Sequence, residues 1–175
     1  MVADVAILMG SDSDLGVMKG ASDILQKFGI DYEVAILSAH RLPVETAAFA
    51  QQAEERGLKV IIAGAGGAAH LAGVLASHTI LPVIGVPIMN GPLNGVDALY
   101  STVQMPKGIP VATVAINGAA NAGLLAVHIL ALGDNKLGQK LKDFRLDMGN
   151  EVRKKGLRLH DLGFEGYMLH KGGKK

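Results

Sequence analysis

The fold of this chain is decided by the stretch Val5-Ala6-Ile7-Leu8-Met9-Gly10-Ser11-Asp12-Ser13-Asp14, in which an apolar run is followed at once by small polar residues. Five consecutive apolar residues predict a strand buried on both faces, because a half-exposed strand would alternate apolar and polar residues. Apolar residues then recur at mostly helical spacing from Leu15 to Phe28, and Gly29 ends the pattern. The stretch therefore predicts a buried strand, a polar turn and a helix.

The same unit of strand, turn and helix recurs as far as residue 133. Further strands are predicted at residues 34–37, 60–63, 83–86 and 111–116, and helices at 43–56, 95–104 and 119–132. Parallel strands joined by right-handed crossovers place helices on both faces of the sheet. We therefore expect residues 1–133 to form one α/β domain, a three-layer α/β/α sandwich with a central parallel sheet.

Residues 134–175 differ from this domain in pattern and in charge. Apolar residues spaced three or four apart between Leu137 and Val152 predict an amphipathic helix over residues 135–155. This helical tail needs a partner for its apolar stripe, either its own domain or a neighbouring subunit. We expect Lys171 to Lys175 to form a frayed end.

Net charge is −4 for residues 1–133 (6 Lys and Arg, 10 Asp and Glu) and +5 for residues 134–175 (11 and 6). Acidic residues are interspersed among the basic ones of the tail and aromatic residues are few, so a solvated helix face is favoured over a nucleic-acid site. The chain has no cysteine, which excludes disulfides and thiolate chemistry and favours a cytoplasmic location. No apolar run approaches the roughly 20 residues that span a bilayer, so we expect no membrane association.

Three polar motifs follow predicted strands and should meet at the carboxyl edge of the sheet. The first is Gly10 to Asp14, where backbone N–H groups and the start of a helix favour an anion. Ser11 could contribute a hydroxyl to a phosphate site, and Asp14 could bind ribose hydroxyls. Serine and aspartate are also preferred helix caps, so capping alone would explain one or two of these residues.

The second motif, Ser38-Ala39-His40-Arg41, follows the second strand. The guanidinium of Arg41 can pair with a phosphate or carboxylate, and the imidazole of His40 can transfer a proton near neutral pH. Each residue also has a structural interpretation. A histidine at a strand end is often a hydrogen-bonded structural residue, and an arginine there is often a surface ion-pair partner.

The third motif is a glycine-rich turn from Gly64 to Gly67, followed by Ala68, Ala69 and His70. Small residues let the backbone approach a small ligand closely. A dinucleotide site is poorly supported, because residues 81–95 lack the acidic residue that such a site needs, and no P-loop sequence is present. His70 could line the pocket or serve in capping or packing. The histidines lack the spacing of a metal site, and no Ser nucleophile elbow occurs.

Five blocks together resemble the class I N5-carboxyaminoimidazole ribonucleotide mutase family of purine biosynthesis. They are residues 10–14 (GSDSD), 38–41 (SAHR), 63–71 (AGAGGAAHL), 81–87 (LPVIGVP) and 104–116 (QMPKGIPVATVAI). The resemblance covers residues 5 to about 132. It implies a flavodoxin- or Rossmann-like fold, a homo-octamer in which the tail reaches a neighbouring subunit, and no metal or nucleotide cofactor.

The resemblance also implies roles for individual residues. The family reaction breaks the carbamate of the substrate into aminoimidazole ribonucleotide and trapped CO2, and ring carbon C4 then attacks the CO2. His40 matches the proton-transferring residue. The substrate-binding positions are matched by Ser11, Asp14, Ser38 and Arg41, and the wall of the CO2 pocket by Gly66, Gly67, Ala68 and His70.

Two alternatives share this scaffold. The class II branch carboxylates aminoimidazole ribonucleotide directly with CO2 and has lysine after Ser-Ala-His, whereas this chain has Arg41. A non-catalytic nucleotide-phosphate sensor would need the phosphate groups but not His40. Ala72 departs from the family pattern, which usually has proline there, so it puts loop rigidity rather than proton transfer in question.

Overall fold

The computed structural model describes the backbone of residues 2–172 and the side chains of residues 2–170. The chain divides into two compact units, with the boundary between Gly133 and Asp134. The first unit contains a five-stranded sheet with its helices, and the second is a long helical segment. The predicted frayed end, Lys171 to Lys175, lies outside the residues whose side chains are described.

The sheet of the first unit is parallel throughout, with strand order β2-β1-β3-β4-β5. Its strands are β1 (Val5–Met9), β2 (Tyr32–Ile36), β3 (Val60–Gly66), β4 (Val83–Ile88) and β5 (Ala112–Thr113). This order is flavodoxin-like, with a topological switch point between β1 and β3 where a crevice opens at the carboxyl ends. The predicted sandwich with a central parallel sheet is confirmed.

Five α-helices cover the sheet: α1 (Leu15–Phe28), α2 (Pro43–Gln52), α3 (Leu71–His78), α4 (Val96–Val103) and α5 (Ala119–Leu130). Helix α1 ends at Gly29, whose φ of 73° is left-handed, a conformation that glycine adopts at little cost. Helix α2 begins at Pro43, whose missing N–H costs nothing in the first turn. Helices α1 and α5 pack together, and α2 packs against α3.

The core lies between these layers. All five residues of β1 are buried, so the strand has no solvent-facing side. Ala6 and Leu8 pack in one cluster with residues of α2 and α3, including Leu75. Leu75 is fully buried, so truncating it to alanine should cost about 2–5 kcal/mol.

Several element ends differ from the sequence prediction. Strand β5 is two residues long rather than six, and β2 starts at Tyr32 and ends at Ile36. Strand β3 continues through Gly64 to Gly66, so the first three residues predicted as a turn belong to the sheet. The reason is packing: a Cβ on Gly64 would lie 2.3 Å from the Met18 sulfur, and glycine lets the strand pass beneath that side chain.

The second unit begins where the carboxylate of Asp134 accepts hydrogen bonds from the amides of Lys136 and Leu137 at 2.8 and 3.1 Å. Its helix, α6 (Asn135–Gly172), runs past the predicted end at residue 155 and is interrupted by non-helical geometry at Gly163. Large apolar side chains along it are more than half exposed, among them Met148, Val152, Leu157, Phe164 and Leu169. None of the described helices is long and apolar enough to cross a membrane.

Candidate active site

The turn after β1 presents Ser11 and Asp14 through a short 3₁₀ helix, Asp12–Asp14. The Ser11 hydroxyl oxygen caps this helix by accepting a hydrogen bond from the Ser13 amide at 3.3 Å. The Ser13 hydroxyl donates to Ser11 Oγ at 2.9 Å and lies 3.4 Å from Asp14 Oδ1. The capping interpretation therefore holds for Ser11, while Asp14 makes no side-chain cap for α1.

Asp14 is a buried carboxylate, with 4% of its surface exposed. Burial raises the pKa of its carboxyl group, because the ionised form loses hydration. Hydrogen bonding from the backbone of Ser11 and the side chain of Ser13 opposes this increase, and the nearby charge of Asp12 adds to it. A buried acceptor at the rim of a polar turn suits a ligand that brings hydroxyl donors.

The turn after β2 positions Arg41 through two hydrogen bonds to neutral oxygens. Arg41 Nε donates to Ser38 Oγ at 3.1 Å, and Nη2 donates to the Gly10 carbonyl oxygen at 2.9 Å. The second bond ties this turn to the turn after β1. The guanidinium is thereby held at the carboxyl edge of the sheet, with further N–H donors left over for an anion.

The turn after β3 brings His70 to His40, thirty residues away in the sequence. His40 Nε2 lies 2.8 Å from His70 Nδ1, and the two rings meet edge to face with centroids 5.0 Å apart. His70 is the N-cap residue of α3 but its side chain makes no cap hydrogen bond. The capping interpretation of His70 is therefore wrong, and its ring pairs with His40.

These turns surround a cavity of about 380 Å³ at the switch point, a volume typical of small-molecule sites. Of the residues predicted for the site, all but Gly67 line this cavity. They are Ser11, Asp14, Ser38, His40, Arg41, Gly66, Ala68 and His70. Gly67 lies in the same turn with a left-handed φ of 61°. Its part is to turn the backbone after β3 rather than to line the cavity.

Ser13 and Asn90 also line the cavity, and neither was predicted as a site residue. Asn90 comes two residues after β4 ends at Ile88. The rule that ligands bind beyond the carboxyl ends of strands applies to this position too, and could have identified it. A Cβ on Gly66 would lie 2.9 Å from the Asn90 Cβ, so glycine at residue 66 makes room for Asn90.

Within residues 2–170, no three His, Cys, Asp or Glu side chains cluster closely enough to hold a metal ion. The polar side chains of the cavity instead carry hydroxyls, one carboxylate, one guanidinium, one amide and two imidazoles. Such a set can bind a phosphorylated sugar and move a proton.

Comparison with known sequences identifies the family. The sequence model of AIR carboxylase matches residues 4–151. The chain belongs to the AIR carboxylase family. The resemblance to N5-carboxyaminoimidazole ribonucleotide mutases is likewise confirmed by relatives that carry this name.

Two of these relatives match this chain over nearly their full length. The mutase of Thermotoga maritima is 56% identical over 167 residues, which cover 95% of this chain and 98% of the relative. The mutase of Pyrococcus horikoshii is 57% identical over 164 residues, with coverages of 94% and 93%. The phosphoribosylaminoimidazole carboxylase of Saccharomyces cerevisiae is 53% identical over 167 residues, but this chain spans only 29% of its length.

Solved structures show the same fold. Treponema denticola PurE has a TM-score of 0.80 and 30% identity, covering 89% of this chain and 97% of that structure. A variant of PurE2 from the same organism has a TM-score of 0.83 and 29% identity, with coverages of 91% and 99%. The agreement extends over nearly the whole of both neighbours.

Proposed function

We infer that this AIR carboxylase family member converts N5-carboxyaminoimidazole ribonucleotide to 4-carboxyaminoimidazole ribonucleotide in purine biosynthesis. The inference rests on one observation above others: a proton-transfer group, His40, lines the same cavity as the anion-binding pair Ser38 and Arg41. The names of the bacterial and archaeal relatives support the same reaction.

The substrate phosphate binds at the junction of the first two turns. Arg41 uses two donors on Ser38 and Gly10 and retains others for phosphate oxygens, which guanidinium binds strongly. Ser11 and Ser38 add hydroxyl donors. Because Arg41 is already held in place, little side-chain entropy is lost when the phosphate binds.

The ribose binds at Asp14. Its carboxylate oxygens accept hydrogen bonds from ribose hydroxyls, which replace the water that burial removes. The raised pKa of Asp14 reflects the free-energy cost of burying an ionised carboxylate. Hydrogen-bond donors from the ligand reduce that cost. Substrate therefore stabilises the ionised form of Asp14.

His40 carries the proton. It donates a proton to the exocyclic nitrogen as the nitrogen–carboxyl bond breaks, so that the nitrogen keeps the electron pair and CO2 is released. Carbon C4 then forms a bond to CO2, and neutral His40 removes the C4 proton to restore the aromatic ring. The proton given in the first step returns in the second, so the reaction needs no external acid or cofactor.

CO2 is held at the turn after β3, against Gly66, Ala68 and His70, while Gly67 turns the backbone of this wall. At residue 66 even the Cβ of an alanine would lie 2.9 Å from the Asn90 Cβ, so a larger side chain there would fill this space. Enclosure keeps CO2 close to C4 and away from water, so proximity and solvent exclusion supply much of the rate.

The test offers purified protein either N5-carboxyaminoimidazole ribonucleotide or aminoimidazole ribonucleotide with bicarbonate, and follows formation of the C4 carboxylate. Turnover of the first substrate at low bicarbonate is expected. Turnover only with aminoimidazole ribonucleotide and bicarbonate would identify a direct carboxylase instead. Binding of both nucleotides without turnover would identify the phosphate sensor.

Assembly is the second part of the proposal. We propose a cytoplasmic homo-octamer in which the apolar side chains of α6 pack on a neighbouring subunit, because Met148, Val152 and Leu157 are exposed on the tail. The net charge of +5 on the tail and −4 on the domain adds attraction between copies. Truncation after Gly133 should reduce the number of subunits per particle, calculated from the mass that light scattering measures. An unchanged number of subunits would contradict a bridging tail.

A further inference from the structure

We propose that His70 is a positioning residue that holds His40 in one tautomer, with the proton on Nε2, so that Nδ1 of His40 is the nitrogen that exchanges a proton with the substrate. This inference rests on the proposed function, since it assigns the atom through which His40 acts. It goes beyond the pocket-wall role of His70.

The geometry selects His70 as the orienting partner. The 2.8 Å separation of His40 Nε2 and His70 Nδ1 is that of a hydrogen bond with one proton between the two nitrogens. The other ionisable groups lining the cavity, Asp14 and Arg41, are engaged elsewhere. Asp14 lies against Ser13, and Arg41 donates to Ser38 and to a backbone carbonyl.

The direction of this hydrogen bond follows from the chemistry that His40 performs. To donate a proton, His40 must first be an imidazolium with N–H groups on both nitrogens. Its Nε2–H then points at His70 Nδ1, which can only accept if the His70 proton is on Nε2. The opposite arrangement, with His70 donating, would leave His40 unable to hold a second proton and therefore unable to act as an acid.

The same hydrogen bond persists through both steps. When His40 protonates the exocyclic nitrogen, it releases the Nδ1 proton and keeps Nε2–H on His70. The bare Nδ1 then accepts the C4 proton, which restores the imidazolium. One nitrogen thus serves as acid and base without reorientation of the ring, and His70 remains neutral throughout.

Two substitutions separate hydrogen bonding from simple filling of the pocket. In His70→Asn, the side-chain amide oxygen can accept a hydrogen bond near the position of Nδ1, whereas His70→Leu offers no acceptor. We expect His70→Leu to lower kcat on the order of 100-fold with little change in KM, by analogy with loss of the orienting partner of other histidine bases. His70→Asn should recover a large part of that loss. His78→Leu removes an exposed histidine from the far end of α3 and serves as the control.

A direct measurement accompanies the kinetics. Ring ¹⁵N chemical shifts of labelled protein, assigned by comparison with His40→Asn, should show a protonated Nε2 and a bare Nδ1 in neutral His40. A proton on Nδ1 of His40 would overturn the proposal, as would full kcat in His70→Leu. Equal losses in His70→Leu and His70→Asn would also overturn it, because His70 would then act only as pocket wall. Absence of turnover by the wild type would instead refute the proposed function, and the ¹⁵N shifts would still report the tautomer.

Discussion

Two cavities of similar volume lie at opposite edges of the sheet in the first unit. The cavity of about 380 Å³ at the carboxyl edge collects side chains from the turns after four strands, among them His40 and Arg41. The cavity of about 420 Å³ at the amino edge is formed where α2 and α3 end, and includes Glu54 and His78. Both contain an exposed histidine, but only at the carboxyl edge do a second imidazole and a guanidinium meet it. Convergence of groups, rather than cavity size, distinguishes the candidate site.

The largest expected difference is between the two histidines. His40→Asn should lower kcat about 1,000-fold, because general acid–base transfer contributes typically 10²–10⁴-fold. His78→Asn, at the amino edge, should retain wild-type kcat. Steady-state assays of both variants test this pair, and comparable activity of His40→Asn and the wild type would remove His40 from the mechanism.

The two edges also contrast in their arginines. Arg41→Ala should raise KM about 10- to 100-fold, because a hydrogen-bonded charge pair with phosphate contributes roughly 1.5–3 kcal/mol. Arg56 instead pairs with Glu33 and lies over the Phe49 ring, 4.9 Å from its centroid. Arg56→Ala should lower the free energy of unfolding by no more than about 1 kcal/mol and leave KM unchanged. Equal KM values for the two variants would place the phosphate elsewhere.

The two edges also differ in their glycines, Gly66 at the end of β3 and Gly57 before its start. Gly66→Ala would bring a methyl group within 2.9 Å of Asn90 and 3.1 Å of the Ile88 carbonyl oxygen, so we expect kcat/KM to fall about 10-fold through misplaced groups at the cavity floor. Gly57 has a φ of 88°, and Gly57→Ala should cost about 1–2 kcal/mol of stability without loss of activity. Activity should therefore fall in Gly66→Ala and stay at the wild-type level in Gly57→Ala, and thermal unfolding should show that Gly57→Ala is destabilised all the same.

The smallest expected effect is on stability at Asp14. Its folded pKa is raised above the unfolded value of about 3.9, so the ionised carboxyl destabilises the folded chain. This cost is absent below the unfolded pKa, develops as pH rises toward the folded pKa, and is complete above it. Asp14→Asn should therefore unfold at a higher temperature than the wild type at pH 7 and lose that advantage as the pH falls below the unfolded pKa. Glu54→Gln controls for the loss of one negative charge, and an advantage for Asp14→Asn that persists below the unfolded pKa would contradict burial as the cause.

The sequence predicts most of the fold because its strands are continuous apolar runs. Residues 5–9 are predicted with the bounds that β1 has. The predicted length of β5 is wrong because the apolar run of residues 111–116 is longer than the part that pairs. At the edge of the sheet, only Ala112 and Thr113 pair with β4. The extension of β3 through Gly66 is not predicted, because glycine in a sequence signals a turn. The close approach of Met18 to Gly64 and of Asn90 to Gly66, which explains these glycines in a strand, is visible only in the structure.

The candidate site is predictable in its members more than in its contacts. Polar residues after strands identify His40, Arg41 and Asp14 as neighbours, since parallel strands end at one edge. The hydrogen bond between His40 and His70 joins residues of two separate turns, and its 2.8 Å length depends on side-chain directions that spacing does not encode. The hydrogen bond that Arg41 donates to the Gly10 carbonyl oxygen could not be predicted from the sequence for the same reason.

Strand β3 remains paired with β4 as far as Gly66 and Ile88, at the floor of the candidate site. Residues at a loop open by local fluctuation, whereas residues in a central strand exchange their amide hydrogens only in larger unfolding events. The floor of the candidate site is therefore as long-lived as the sheet itself. In the proposed reaction, CO2 released above this floor would escape through the mouth of the cavity, so we expect its retention to depend on how completely the nucleotide closes that mouth.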